Sequence, residues 1–102
     1  MKVGEIVVDF ENQRVTVAGK PIQLTPHELG LMRLFAANVG KLLTHRAILM
    51  EVWGPAYQTE SHYLHVYVSQ LRRKIEADPT RPRYLLTEAG SGYRFVEPLD
   101  RP

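Results

Sequence analysis

The stretch from Ser61 to about Ala77 concentrates side chains suited to recognition chemistry. Set out at a helical period, Leu64, Val68, Leu71 and Ile75 fall within about 60° of one another and form an apolar stripe. The opposite side carries His62, Val66, Ser69 and Arg73, with His65 and Gln70 flanking it. Mixed donors and acceptors around one aliphatic side chain suit the base edges of a major groove. An Arg fork matches guanine O6 and N7, an amide matches adenine, a hydroxyl serves several bases, and Val packs on a thymine methyl. Arg72 and Lys74 lie on the flanks, where they are placed to reach phosphates, which position a helix without carrying sequence information. A plain solvated polar face is the alternative reading of the same pattern.

Other chemistries find less support. His62 and His65 are spaced i and i+3, but two ligands without a third or fourth donor do not make a metal site. The chain has no cysteine, which removes disulfides, thiolate zinc sites and a Cys nucleophile. Gly90-Ser91-Gly92 lacks the Lys and following helix of a phosphate loop and sits between two apparent strands, where glycine suits a tight turn. No Ser-His-Asp order, carboxylate pair or cofactor fingerprint stands out. The expectation is a binding protein, not an enzyme, with no cofactor and no metal.

The elements that must position this helix follow from periodicity. Glu5–Phe10, Arg14–Val17 and Pro21–Leu24 read as three short strands of an antiparallel meander, with Pro21 suited to an edge. The period then changes. Thr25 as N-cap, Pro26 at the first helical position and Glu28 as the capping-box partner predict a helix with Leu29, Met32, Leu34, Phe35 and Ala36 as its apolar face, ending at Asn38-Val39-Gly40. His27 is expected to face solvent. Leu42-Leu43 reads as an extended link, and Thr44 caps a second helix from His45 to about Trp53 with Ile48, Leu49 and Val52 inward. Gly54-Pro55 breaks it. A third helix runs from a Ser61 or Thr59 cap to about Ala77, and strands at Tyr84–Thr87 and Tyr93–Val96 form a hairpin. The fold class is therefore α+β: a winged helix-turn-helix (25–96) behind an N-terminal antiparallel meander (1–24), in one domain, with a loose tail at 97–102.

Composition narrows the setting. A length of 102 residues fits one core, and 44% hydrophobic content is enough to bury it. No apolar run reaches the ~18–20 residues of a membrane helix and no leader pattern opens the chain, so a cytoplasmic location without membrane contact is expected. The net charge of +2 hides an asymmetry. Residues 1–60 hold six basic and six acidic side chains. Residues 61–96 hold six basic (Arg72, Arg73, Lys74, Arg81, Arg83, Arg94) against three acidic (Glu76, Asp78, Glu88), a surplus of three. A local basic surface is the footprint of a phosphate-rich partner.

In order and spacing, Leu24-Thr25-Pro26-His27-Glu28-Leu29, Val52-Trp53-Gly54, Leu71-Arg72-Arg73-Lys74-Ile75 and Gly90-Ser91-Gly92-Tyr93-Arg94-Phe95 resemble the winged-helix effector domain of the OmpR/PhoB class of two-component response regulators. The resemblance covers nearly the whole chain. Trp53-Gly54-Pro55-Ala56-Tyr57, His62-Tyr63-Leu64, Val66-Tyr67, Asp78-Pro79-Thr80-Arg81-Pro82-Arg83 and Thr87-Glu88-Ala89-Gly90 are most like the KdpE subgroup, regulators of potassium-transport operons.

The resemblance implies that the third helix enters the major groove, with His62, Tyr63, Val66, Tyr67, Ser69, Gln70 and Arg73 facing bases. It places Trp53, Arg72, Thr87 and Tyr93 at phosphate-contacting positions, although Trp53 and Tyr93 can equally be core residues. It gives Gly54, Pro55, Ala56, Tyr57, Gln58, Thr59 and Glu60 to a loop facing the transcription machinery, RNA polymerase in particular. Its further partners are promoter DNA, a second copy in tandem on direct repeats, and a sensor histidine kinase acting through a receiver domain that is not in these 102 residues; an excised effector domain is the favoured reading over a free-standing one. Two departures stand out. Ser69 and Gln70 replace arginines of some relatives, and Glu88-Ala89 replaces a wing arginine, so less minor-groove reading by the wing is expected. The alternative function is a winged-helix protein-interaction module using Gly54–Glu60 and the first helix.

Overall fold

Alternating apolar residues build the first sheet. In the computed structural model, which describes residues 1–99, it has four strands in the order β1 (Lys2–Val3), β2 (Ile6–Asp9), β3 (Arg14–Val17) and β4 (Lys20–Ile22). All neighbours are antiparallel, and the register sets Val8 opposite Val15 and Val15 opposite Ile22. Val3, Ile6, Val8 and Val15 point into the core. The meander thus has one strand more than the sequence predicts, since Lys2–Val3 is too short to carry a pattern of its own. Pro21 sits on the edge strand β4, where its missing N–H leaves no ladder bond unmade.

Helix α1 (Pro26–Ala37) starts as predicted. Thr25 Oγ1 accepts from the Glu28 N–H at 3.3 Å, and the Thr25 N–H donates to Glu28 Oε1 at 2.9 Å. Its inward face is Glu28, Leu31, Met32, Phe35 and Ala36, a regular i, i+3, i+4, i+7 set; Leu29 and Leu34 lie at its borders, and Leu31 takes the central place. Helix α2 (His45–Val52) is capped by Thr44, whose Oγ1 accepts from the Ala47 N–H, and buries Ile48 and Leu49. Gly54, at φ +108°, lets the chain leave α2 into a 3-10 turn at Pro55–Tyr57.

Helix α3 (Ser61–Ile75) differs at its start from the expectation. Its N-cap is Glu60, with no side-chain cap: the 3-10 turn feeds the helix directly, the Glu60 N–H bonding to the Tyr57 carbonyl, so Thr59 lies before the start and Ser61 is already helical. Packing supplies what the cap does not. Leu64, Val68, Leu71 and Ile75 are all fully or almost fully buried, and each such burial stabilises by about 1.5–3 kcal/mol. The helix ends at Ile75. Glu76 then accepts from the N–H groups of Arg83, Tyr84 and Leu85 at 2.8–3.2 Å, which ties the helix end to the returning strand.

The wing is a three-stranded sheet, not a free hairpin. Strand β7 (Gly92–Phe95) lies between β6 (Leu85–Glu88) and β5 (Leu42–Thr44), the segment read from sequence as a link. The register places Leu43 and Thr87 on either side of Tyr93. Gly90 takes the turn at φ +76°, whereas Gly92 is needed for another reason: a Cβ there would run into the Leu43 carbonyl. Phe95, Leu85 and Tyr93 join the helices and the meander in a single core cluster. Of the tail, residues 97–99 have no regular structure and 100–102 lie outside the described residues.

Candidate nucleic-acid interface

The outward side of α3 carries a continuous exposed set: His62, Tyr63, His65, Val66, Gln70 and Arg73, with Ser69 half-buried at its edge. Val66 stands 40% exposed among polar neighbours on a helix whose opposite face is sealed. An exposed aliphatic ringed by an imidazole, a hydroxyl, an amide and a guanidinium is a surface that can discriminate base edges. The three consecutive cations Arg72, Arg73 and Lys74 all lie in its last turn, where they also complement the negative end of the helix dipole.

Two of those three bond within the domain: Arg72, which is buried, and Lys74, which remains exposed. Arg72 is only 9% exposed. Its Nε and Nη2 both donate to the Leu85 carbonyl, at 2.9 and 2.7 Å, and Nη2 also donates to Thr87 Oγ1 at 2.8 Å. The guanidinium carbon lies 5.7 Å from the centre of the Tyr93 ring. Burial pulls this guanidinium below its ordinary value, while Tyr93 and Glu76 pull it back up. Lys74 Nζ donates to Glu28 Oε1 at 2.6 Å and to the Gln23 carbonyl at 2.9 Å. The two flanks of α3, expected to be free for phosphates, thus differ: Arg72 is covered by the wing, whereas Lys74 is tied to Gln23 and Glu28 but stays exposed. Arg73 stays exposed.

Tyr93 and Trp53 are also drawn inward. Tyr93 is 2% exposed, with His45 edge-on at 5.5 Å and its hydroxyl 3.4 Å from His65 Nδ1. Burial raises its phenol above the ordinary value, and the Arg72 charge acts the other way. Trp53 is half-buried between His27 (4.9 Å), Tyr67 (5.0 Å) and Tyr63 (5.4 Å), and its indole N–H is buried with no hydrogen-bond partner among the described residues. His27 therefore does not face solvent: it caps an aromatic stack in which Tyr67, half-buried, lies 5.1 Å from Tyr63. Tyr57 extends the stack outward, 5.6 Å from Tyr63, so Pro55, Ala56 and Tyr57 are displayed on a firm aromatic base. Gln58 is half-buried, and Thr59 and Glu60 are exposed.

On the wing, Thr87 is exposed while its hydroxyl holds Arg72. Glu88 pairs with Arg94 at 3.4 Å, and Arg94 Nη1 donates to the Gly40 carbonyl at 2.8 Å. The basic surplus counted along 61–96 is thereby partly spent inside the domain. His45 beside Tyr93 is the neighbour that sequence reasoning left out; His65 was placed at the flank of the polar face and weighed with His62 for metal, without its contact to Tyr93. Among the described residues no group of three or more His, Cys, Asp or Glu side chains is placed to hold a metal ion, and no helix is long and apolar enough to cross a membrane.

Comparison with known proteins gives this geometry a family. Residues 19–95 match the family described as "Transcriptional regulatory protein, C terminal". The KdpE transcriptional regulatory protein of Mycobacterium tuberculosis is 50% identical over 95 residues, covering 93% of this chain and 42% of that protein. The KDP operon regulator KdpE of Escherichia coli is 42% identical over 96 residues, covering 94% and 43%. Among solved structures, the response regulator DrrB, an OmpR/PhoB homologue of Thermotoga maritima, superposes with a TM-score of 0.86 at 30% identity over 94% of this chain and 43% of that one. The Klebsiella pneumoniae RstA DNA-binding domain, solved in complex with the RstA box, shares the fold with a TM-score of 0.87 at 24% identity, covering 95% and 96%. The chain spans less than half the length of the curated relatives it matches. It belongs to the C-terminal domain family of transcriptional regulatory proteins, as an OmpR/PhoB-class winged-helix effector domain with a KdpE-like sequence.

Proposed function

We propose that this domain binds double-stranded promoter DNA in a sequence-specific way, seating α3 in the major groove and so controlling transcription, in the KdpE-like case of a potassium-transport operon. The observation that carries this is the exposed face His62, Val66, Gln70 and Arg73 on a helix locked from behind by four buried aliphatic residues. His62, Tyr63, Val66, Ser69, Gln70 and Arg73 are the base-facing candidates, with Tyr67 supporting Tyr63 from the stack. The α3 N-terminus, without a side-chain cap, leaves first-turn N–H groups for a phosphate. Arg72, Trp53 and Tyr93 act mainly by holding the interface in shape, and Lys74 by holding α3 to α1.

The remaining partners belong to the same proposal. The firm loop Gly54–Glu60 is offered to RNA polymerase. A second copy on an adjacent repeat adds its contacts to those of one domain, and a sensor kinase acts through a receiver domain in a longer protein. No catalytic step is proposed.

Selection of bound duplexes from a random pool, followed by titration at two salt concentrations, tests the reading. Enrichment of a defined repeat whose affinity falls steeply with salt is the expected result. No enriched sequence, together with salt-insensitive association with a protein, supports the interaction-module alternative instead.

A further inference from the structure

His65 stands where the reading helix meets the wing. It is exposed on α3, yet its Nδ1 is 3.4 Å from the hydroxyl of Tyr93, a residue otherwise sealed in the core. That hydroxyl is itself fixed. The Tyr93 ring packs against the Arg72 guanidinium and, perpendicular to it, the His45 ring, and Arg72 is fastened to Leu85 and Thr87 of β6. A chain of contacts thus runs from the wing through Arg72 and Tyr93 to one imidazole at the outer surface. With Nδ1 engaged by Tyr93, Nε2 is the nitrogen left for an outside partner.

We propose that His65 is a DNA-contacting residue positioned by Tyr93, and that it makes DNA binding by this domain proton-linked. The inference rests on the DNA-binding reading above and adds a contact and a regulation to it. A neutral imidazole gives a phosphate one N–H; an imidazolium gives it a charge-assisted bond. Histidine is the side chain whose ordinary charge change falls between about pH 5 and 8. The titratable group in contact with His65 is Tyr93 on β7; His45 on α2 and Arg72 on the same helix as His65 lie against that tyrosine ring, His62 precedes His65 by three residues on α3, and Glu88 is paired with Arg94 on the wing. Arg72 is a like charge behind the same tyrosine ring, and a phosphate in front supplies the counter-charge. Arg72 is buried against the wing and the exposed Lys74 has its ammonium paired with Glu28, so an added positive charge at His65 is a substantial increment to what the face can present.

The sign follows from linkage. If the complex holds a proton that the free domain lacks, affinity rises as pH falls, by at most about tenfold per pH unit for one proton. The test uses this chain and a duplex selected from a random pool, with dissociation constants and salt slopes measured at about pH 6 and about pH 8, which bracket the ordinary histidine transition. Binding is expected to be about three- to tenfold tighter at the lower pH, with a salt slope steeper by up to about one charge. His65→Gln abolishes that difference, whatever its affinity at the higher pH, while His62→Gln and His45→Gln retain it. Tyr93→Phe, which keeps the ring and removes the hydroxyl, gives a pH response smaller than that of the parent. Equal affinity at both pH values, a full pH response in His65→Gln, or a response lost in His62→Gln or His45→Gln instead overturns the proposal. Failure to bind any duplex at either pH overturns the underlying DNA-binding reading and is recognised as such.

Discussion

Arg72 of α3 grips the main-chain carbonyl of Leu85 with two of its nitrogens, at 2.9 and 2.7 Å, and so fastens the wing to the third helix. A charged donor satisfying a buried carbonyl is a strong contact, and its loss leaves that carbonyl unpaired. Arg72→Met is therefore expected to cost about 2–3 kcal/mol of folding stability. Its effect on DNA should be a uniform weakening through a displaced wing, with the slope of log affinity against log salt nearly unchanged. Urea unfolding and DNA titrations at several salt concentrations check both parts. A slope flatter by about one charge with unaltered stability would return Arg72 to the phosphate role that its place on the helical wheel implied.

Arg73, one residue on, is exposed and its side chain makes no hydrogen bond to the described residues, so its guanidinium is available to a base edge. Arg73→Ala is expected to cost about 1–3 kcal/mol on the selected duplex and much less on random duplex, relaxing the preference at one base pair. Repeating the selection with the variant shows which position loses information. Equal losses on both duplexes would make it a phosphate contact.

The contrast between these neighbours marks what the sequence could and could not reveal. Where an element is decided by nearby residues, as at Thr25-Pro26-His27-Glu28 or along the stripe Leu64, Val68, Leu71 and Ile75, reading the chain located it correctly. Where a distant segment decides, it did not. Leu42–Thr44 carries no strand pattern and becomes a strand because β7 returns beside it. Arg72 and Lys74 sit at flank positions on the wheel, and only the arrival of β6 buries Arg72 and that of Gln23–Glu28 ties down the exposed Lys74. His27 is held by Trp53 and Tyr67, which lie far along the chain. The exposed side of α3 is the part legible from sequence, because solvent leaves those side chains where the helix puts them.

The Lys74–Glu28 contact makes stability depend on acid. Burial pushes the Glu28 carboxyl up, but the hydrogen bonds from Lys74 and from Thr25 outweigh it and hold the group below its ordinary value of 4.5. With its folded value depressed, Glu28 stabilises the domain fully above that ordinary value, and the contribution disappears as pH falls through the lower folded one. Glu28→Gln should cost about 1 kcal/mol near neutrality, since half-exposed Lys74 keeps part of its hydration, and should flatten the acid limb of stability against pH. Urea unfolding between neutral and acid pH measures it. An unchanged acid limb in the variant would assign the dependence to other carboxylates.

Glu88 bears on the wing in the opposite sense. Its carboxylate lies 3.4 Å from Arg94 Nε with both side chains partly exposed, so the pair contributes little to folding but neutralises a cation beside the wing tip. Glu88→Ala should leave stability nearly unchanged and tighten DNA binding by about two- to fivefold at low salt, the gain fading as salt screens it. Titrations at low and high salt decide the point. Unchanged affinity, with footprinting that shows Ala89 in close minor-groove contact, would contradict the reduced role assigned to this wing.

Gly92 sets how closely the wing is joined to the rest of the domain. Its backbone lies against Leu43 and Thr44 so tightly that a side-chain carbon would collide with the Leu43 carbonyl, a main-chain atom held in the β5–β7 ladder. Neither strand can yield without loss, because β7 also pairs with β6 and leads straight into buried Tyr93. Gly92→Ala is therefore expected to destabilise the domain by about 2–4 kcal/mol. Gly90→Ala, at a left-handed turn with open space around it, should cost no more than about 1–2 kcal/mol, from backbone strain alone. Because Tyr93 follows Gly92 directly, separating β5 from β7 should also loosen His45 and His65 around its ring. Amide exchange would then show faster opening at Leu43, Tyr93 and Arg94 in the Gly92 variant than in the Gly90 variant. Equal costs for the two substitutions would mean that turn conformation, not strand contact, is what glycine provides at the wing.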